Sequence, residues 1–114
     1  TAESMGGTCE IEILVGYPSL INEPVLTERV KSAMETYMGK ENVVELPIRL
    51  TAEDFSYYSQ QSDACFYRLG TGNKSKGITS PVHTPTFDID EEALKTGMGL
   101  MAYLAVEELK GGLN

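Results

Sequence analysis

The first patterned run alternates. In "CEIEILVGY" the residues Cys9, Ile11, Ile13, Val15 and Tyr17 fall on one face and Glu10 and Glu12 on the other, the period-two pattern of a strand with one wet side. "PSLINEPV" breaks it. Asn22 is a favoured N-cap, and Pro24 suits a first helical turn, where a missing N–H costs nothing. Leu26, Val30, Ala33, Met34 and Tyr37 then recur at spacings of three and four, which predicts an amphipathic helix ended by Gly39. "NVVELPIRL" predicts a short strand near an edge or strand end, because proline cannot donate to a ladder. Thr51 with Asp54 comes close to a capping box and opens a short helix to about Gln60. "DACFYRLG" reads as a buried strand and "GTGNKSKGITSP" as a loop. Asp90, Glu91 and Glu92 cap a last helix to about Leu109. Its apolar side is Leu94, Met98, Met101, Ala102, Ala105 and Leu109, and Gly97 and Gly99 allow close packing against a sheet.

This order of strands and helices predicts an α/β architecture. The strands differ in character, however. The first has a wet face, as in antiparallel sheets, whereas Ala64–Leu69 is apolar throughout, as in covered parallel ones. "GYPSLIN" lies between them like a hinge, so residues 1–20 are expected to be the end of one domain and 21–114 part of another.

Composition narrows the classes. A chain of 114 residues is one domain's worth or a piece of a larger one. A net charge of −8 argues against nucleic acid or anionic membrane as a partner, since both need basic patches. No apolar run reaches the ~18 residues of a membrane span, and the N-terminus lacks a signal-peptide pattern. Cys9 and Cys65 are too far apart for a CxxC motif and are expected to be buried free thiols, which suits a reducing, cytoplasmic setting.

The candidate chemistry is sparse. "GNKSKGIT" nearly matches a phosphate-binding loop, but Ile78 stands where the lysine belongs and no helix opens after it, so a surface turn is the better reading. Glu53 and Asp54 are adjacent carboxylates at a helix start, where they serve a cap and the helix dipole; neighbours point about 100° apart and form no acid–base dyad. His83, the single histidine, lies in a loop between Pro81 and Pro85, with no HExxH and no cysteine cluster. A Ser80, His83, Asp88 triad would crowd three groups onto one loop without a nucleophile elbow. Residue chemistry alone leaves a soluble α/β piece.

The order of the motifs adds to this. "GYPSLIN", a helix, "TAEDFSYYSQQ", "CFYRLGTGN" and "PVHTPTFDIDEEALKTGMGLMAYLA" follow one another at familiar spacing. Together they resemble the C-terminal third of the zinc amidohydrolases of the aminoacylase, hippuricase and indoleacetyl-amino-acid hydrolase type, peptidase family M-twenty. The resemblance implies a partial three-layer α/β catalytic domain of a zinc-peptidase-like fold, preceded in residues 1–20 by the last strand of a lid or dimerisation domain. It implies that His83 is the final ligand of a two-metal site holding zinc or manganese. Such ions polarise the scissile carbonyl and bind the attacking water, and a glutamate serves as general base. Glu53 and Asp54 would line the cleft, and Asp88 would steer the His83 ring.

The other ligands and the general base belong upstream, so the catalytic glutamate is expected outside this chain and the chain alone should be inactive. Leu50-Thr51 also stands where the family commonly has Met-Gly. The implied substrate is an N-acyl amino acid or small peptide, and the implied partners are the missing N-terminal part and a second copy of the protein. A binding or dimerisation module on the same scaffold is the alternative, and exposed strand edges predict association of the isolated chain.

Overall fold

Two helices carry the core. Helix α1, Pro24–Met38, begins at the expected proline, but Glu23 rather than Asn22 caps it. The Glu23 carboxylate accepts from the amides of Val25 at 3.1 Å and Leu26 at 2.6 Å. Those bonds, Leu26 foremost, hold its carboxyl below the usual range. Asn22 is committed elsewhere: its Nδ2 donates to the Phe66 carbonyl at 3.0 Å and its Oδ1 accepts the Phe66 amide at 2.8 Å. A side-chain amide thus copies the paired donor and acceptor of a strand, and the adjoining Glu23 amide bonds the Ala64 carbonyl. Gly39 ends α1 at φ 87°, a conformation that glycine adopts without strain.

Helix α3, Glu92–Gly111, lies against α1. Leu100 (2% exposed) and Leu104, one turn apart, meet Val30 and Met34. The expected apolar side of α3 is not the buried one: Leu94, Met98, Met101 and Leu109 are exposed. The helix is apolar on more than one side, so periodicity alone could not rank them. Gly99 helps decide, because the Tyr37 side chain occupies the space that a Cβ there would take. Gly97 lets α3 approach Leu69 of the 64–69 run closely, since a Cβ there would lie 2.8 Å from the Leu69 side chain, although that run forms no sheet. At the surface Arg29 forks onto Glu108 with Nη2 at 2.9 Å, joining the two helices. Among the described residues no helix is long and apolar enough to cross a membrane.

Everything else is short or extended. The computed structural model describes residues 1–111, so the end of the 21–114 segment, 112–114, lies outside the described residues. A small helix α2, Phe55–Ser59, and 3-10 turns at Glu3–Met5, Lys40–Asn42 and Lys74–Lys76 complete the regular structure. Among the described residues the α/β layering is not formed. The runs expected as strands, 9–17, 42–50 and 64–69, make no ladder, and among the described residues the one isolated bridge is Asn73 with Ile78. A strand exists only when its backbone groups pair with a neighbouring strand, and among the described residues no strand lies beside the first two runs. The first strand's anticipated core face therefore points into water, with Ile13 at 81% and Val15 at 94% exposed, and Ile48 and Leu50 are just as open.

The molecule is consequently spread out. Its radius of gyration is 20.1 Å, against about 13 Å for a compact chain of this length. Its accessible surface is 9606 Å², against about 6,200 Å² for a compact protein of this mass.

Candidate functional site

The loop bearing His83 spans residues 79–89, between a tight turn and the start of α3. In that turn Asn73 and Ile78 exchange backbone hydrogen bonds at 2.8 and 2.9 Å. The Asn73 Oδ1 receives the Ser75 and Lys76 amides and the Ser75 hydroxyl, the local bonding for which asparagine is favoured in turns. Its Nδ2 donates to Asp90 Oδ2 at 2.6 Å, and Lys76 Nζ donates to Asp90 Oδ1 at 2.7 Å. The Asp90 amide in turn bonds the Thr71 carbonyl at 2.8 Å. The Asp90 side chain is 16% exposed, and Lys76 foremost, then Asn73, lowers its carboxyl to about 2. A lowered carboxyl stabilises the fold above the ordinary carboxylate value, and that contribution is lost as pH falls from there towards 2.

His83 is exposed and sits at φ 65°, alone among the non-glycine residues described in having a positive φ. That conformation is open to histidine but costs on the order of 1 kcal/mol or more, so the surroundings must hold it. Thr84 Oγ1 donates to the Pro81 carbonyl at 2.8 Å, and the Phe87 amide donates to the Thr84 carbonyl at 3.1 Å. The Ser80 and Thr86 hydroxyls meet at 2.9 Å. Ser80 is thus occupied by Thr86, and among the described residues no hydrogen bond assembles a Ser80, His83, Asp88 triad.

The expected cleft carboxylates lie apart in function. Glu53 accepts the Phe55 amide at 3.2 Å, which is capping work for α2. Asp54 occupies the N-cap position with no side-chain capping bond and is exposed. Asp88 turns its Oδ1 to the Ile89 amide at 2.8 Å. It borders a recess of about 270 Å³ together with Lys76, Asp90, Glu91 and Glu92, at the foot of α3. Among the described residues no hydrogen bond joins His83 to Glu53, Asp54 or Asp88. Ser56, just inside α2, is fully buried and its hydroxyl has no partner.

A protein zinc centre takes three or four protein ligands. Among the described residues no three histidine, cysteine or acidic side chains converge to hold a metal ion. These residues therefore do not fit a metal centre by themselves; His83 can offer one imidazole from an exposed turn. The thiols also differ from expectation. Cys9 is exposed because its strand has no covering layer, while Cys65 is half-buried and burial pushes its thiol up.

Two groups of working residues escaped the reading of the sequence. Asn22 has the residue type of a cap, although an asparagine before a Glu-Pro pair leaves Glu23 free to do that job. In sequence Asn73 and Lys76 read as loop residues and Asp90 as a cap; only the fold brings both onto the Asp90 carboxylate.

Residues 4–107 match the family described as Peptidase family M20/M25/M40. The chain is 38% identical over 103 residues to "Thermostable carboxypeptidase 1" of Saccharolobus solfataricus, covering 90% of this chain and 25% of that protein. It is 31% identical over 104 residues to "Probable hydrolase sll0100" of Synechocystis sp., covering 90% of this chain and 26% of the relative. It is 32% identical over 93 residues to "IAA-amino acid hydrolase ILR1-like 4" of Arabidopsis thaliana, covering 82% and 21% of the two chains. The chain thus spans about a quarter of the length of these curated relatives. No solved structure matches it.

Proposed function

Because the chain belongs to Peptidase family M20/M25/M40, we propose that it is the part of a two-metal amidohydrolase that carries the last metal-ligand histidine, His83. The whole enzyme would hydrolyse the amide bond of N-acyl amino acids or small peptides. The observation that carries this reading is the family match across residues 4–107, with the sole histidine held at a positive φ on an exposed turn. A relative named as a carboxypeptidase and another named as an amino acid conjugate hydrolase support an amide-linked amino acid as the substrate class. The runs at 9–17, 43–50 and 64–69 are then strands of α/β sheets completed by the rest of the polypeptide, with residues 1–20 in the lid. Glu53, Asp54 and Asp88 form part of the cleft wall, the metals are zinc or manganese, and the working protein is a homo-oligomer. The general base comes from the rest of the polypeptide, and the chain alone is inactive.

The test is metal analysis and hydrolysis of N-acyl amino acids by the full natural polypeptide, with and without His83→Ala. The expected outcome is loss of one bound metal equivalent and of turnover. Unchanged metal content and unchanged turnover would overturn the reading. A wild-type protein that binds no metal and hydrolyses nothing would instead indicate a binding module.

A further inference from the structure

We infer that Asp90, held by Asn73 and Lys76, is the positioning residue that sets where His83 stands; this rests on the proposed role of His83. The bonds inside loop 79–89 are all local: Thr84 to Pro81, Phe87 to Thr84, Ser80 with Thr86. Among the described residues none of these ties the loop to α1, α2 or the body of α3. The loop's location is therefore decided at its two ends. Ile78, at the first end, is bridged to Asn73. Asp90, at the other, takes the Asn73 amide at 2.6 Å and the Lys76 ammonium at 2.7 Å. Its backbone amide adds the bond to Thr71. Both ends thus converge on one carboxylate at the foot of α3.

What lies between is stiff. Pro81 and Pro85 flank His83, and prolines narrow the conformations of a loop. A stiff loop on a loosened base moves as a body and carries the imidazole with it. A shift of about 1 Å in a group near a reaction centre can cost up to about 10²-fold in rate. The clamp adds little to overall stability by comparison, since Lys76 is about half exposed and such ion pairs are weak. Position and stability should therefore separate.

The experiment compares Lys76→Met, Lys76→Arg and Asp90→Asn in the full natural polypeptide, by hydrogen exchange of residues 71–90, steady-state kinetics and melting. Lys76→Met is expected to speed exchange of the hydrogen-bonded amides at the loop's base, Asn73, Ile78 and Asp90, and nowhere else. It should lower kcat about tenfold, the scale of lost supporting contacts at a metal ligand, with KM and melting temperature nearly unchanged. Lys76→Arg should restore both readouts. Asp90→Asn also weakens the bond to the Glu92 amide at the start of α3, so Lys76→Met decides. Wild-type exchange in Lys76→Met overturns the inference, and so does faster exchange with unchanged kcat, which would make the clamp purely structural. If His83→Ala leaves turnover intact, the functional reading falls instead, and exchange in Lys76→Met still decides whether the clamp holds the loop.

Discussion

Helices α1 and α3 and the runs at 9–17 and 43–50 all carry recurring apolar side chains, yet the helices enclose some of theirs while the runs, beyond Val43, leave theirs largely exposed. A helix satisfies its backbone internally and needs a neighbour only for its apolar side. One contact between α1 and α3 supplies that neighbour for Val30, Met34, Leu100 and Leu104. A strand needs a neighbour twice, once for its amides and carbonyls and once for its apolar face. The surface in excess of a compact chain, roughly 3,400 Å² by mass scaling, falls within the range that obligate interfaces cover. The 64–69 run is intermediate, and Asn22 shows why: two side-chain bonds to Phe66 give it part of a partner's edge.

The comparison breaks most sharply under core truncation. Leu100→Ala should destabilise the chain by about 2–5 kcal/mol, because it empties a fully enclosed site. Ile48→Ala should change stability by less than about 0.5 kcal/mol, since its side chain is already in water. Denaturant titration of both variants checks this, and a large effect at Ile48 would mean that the arm is covered in solution.

A smaller effect belongs to the intermediate run. Asn22→Ala should cost about 1–3 kcal/mol by leaving the Phe66 amide and carbonyl unpaired. Asn22→Asp keeps the acceptor and loses the donor, so it should fall between wild type and Asn22→Ala. The same titration ranks the three.

The smallest effect is chemical. Iodoacetamide at neutral pH should modify the open Cys9 before Cys65, whose thiol is half-buried and pushed up by burial. Mass spectrometry over time reads the order, and equal rates would mean that the 64–69 run opens as freely as the N-terminal arm.

Reading the residues in order located α1, its proline start and its glycine stop, because these depend on a few neighbours within one turn. It also located the α3 start and the short α2, although the Thr51 cap proved to be a Glu53 bond. The chemistry of the candidate site was legible only as a lone histidine in a proline-flanked loop, lifted to a metal-ligand expectation by the order of the motifs around it. The clamp under that loop was not legible, because Asn73 and Asp90 are far apart in sequence and each has a satisfactory local reading.

By itself, then, the sequence determined where helices begin and end and which residue types are available for chemistry, since those follow from local sterics, capping and periodicity. The tertiary structure alone decided which side of α3 is buried, that Asn22 pairs with Phe66 rather than capping α1, and that one carboxylate gathers both ends of the His83 loop. Each of these is a choice among partners distant in sequence, settled by which groups can meet in space while leaving the fewest polar atoms unpaired.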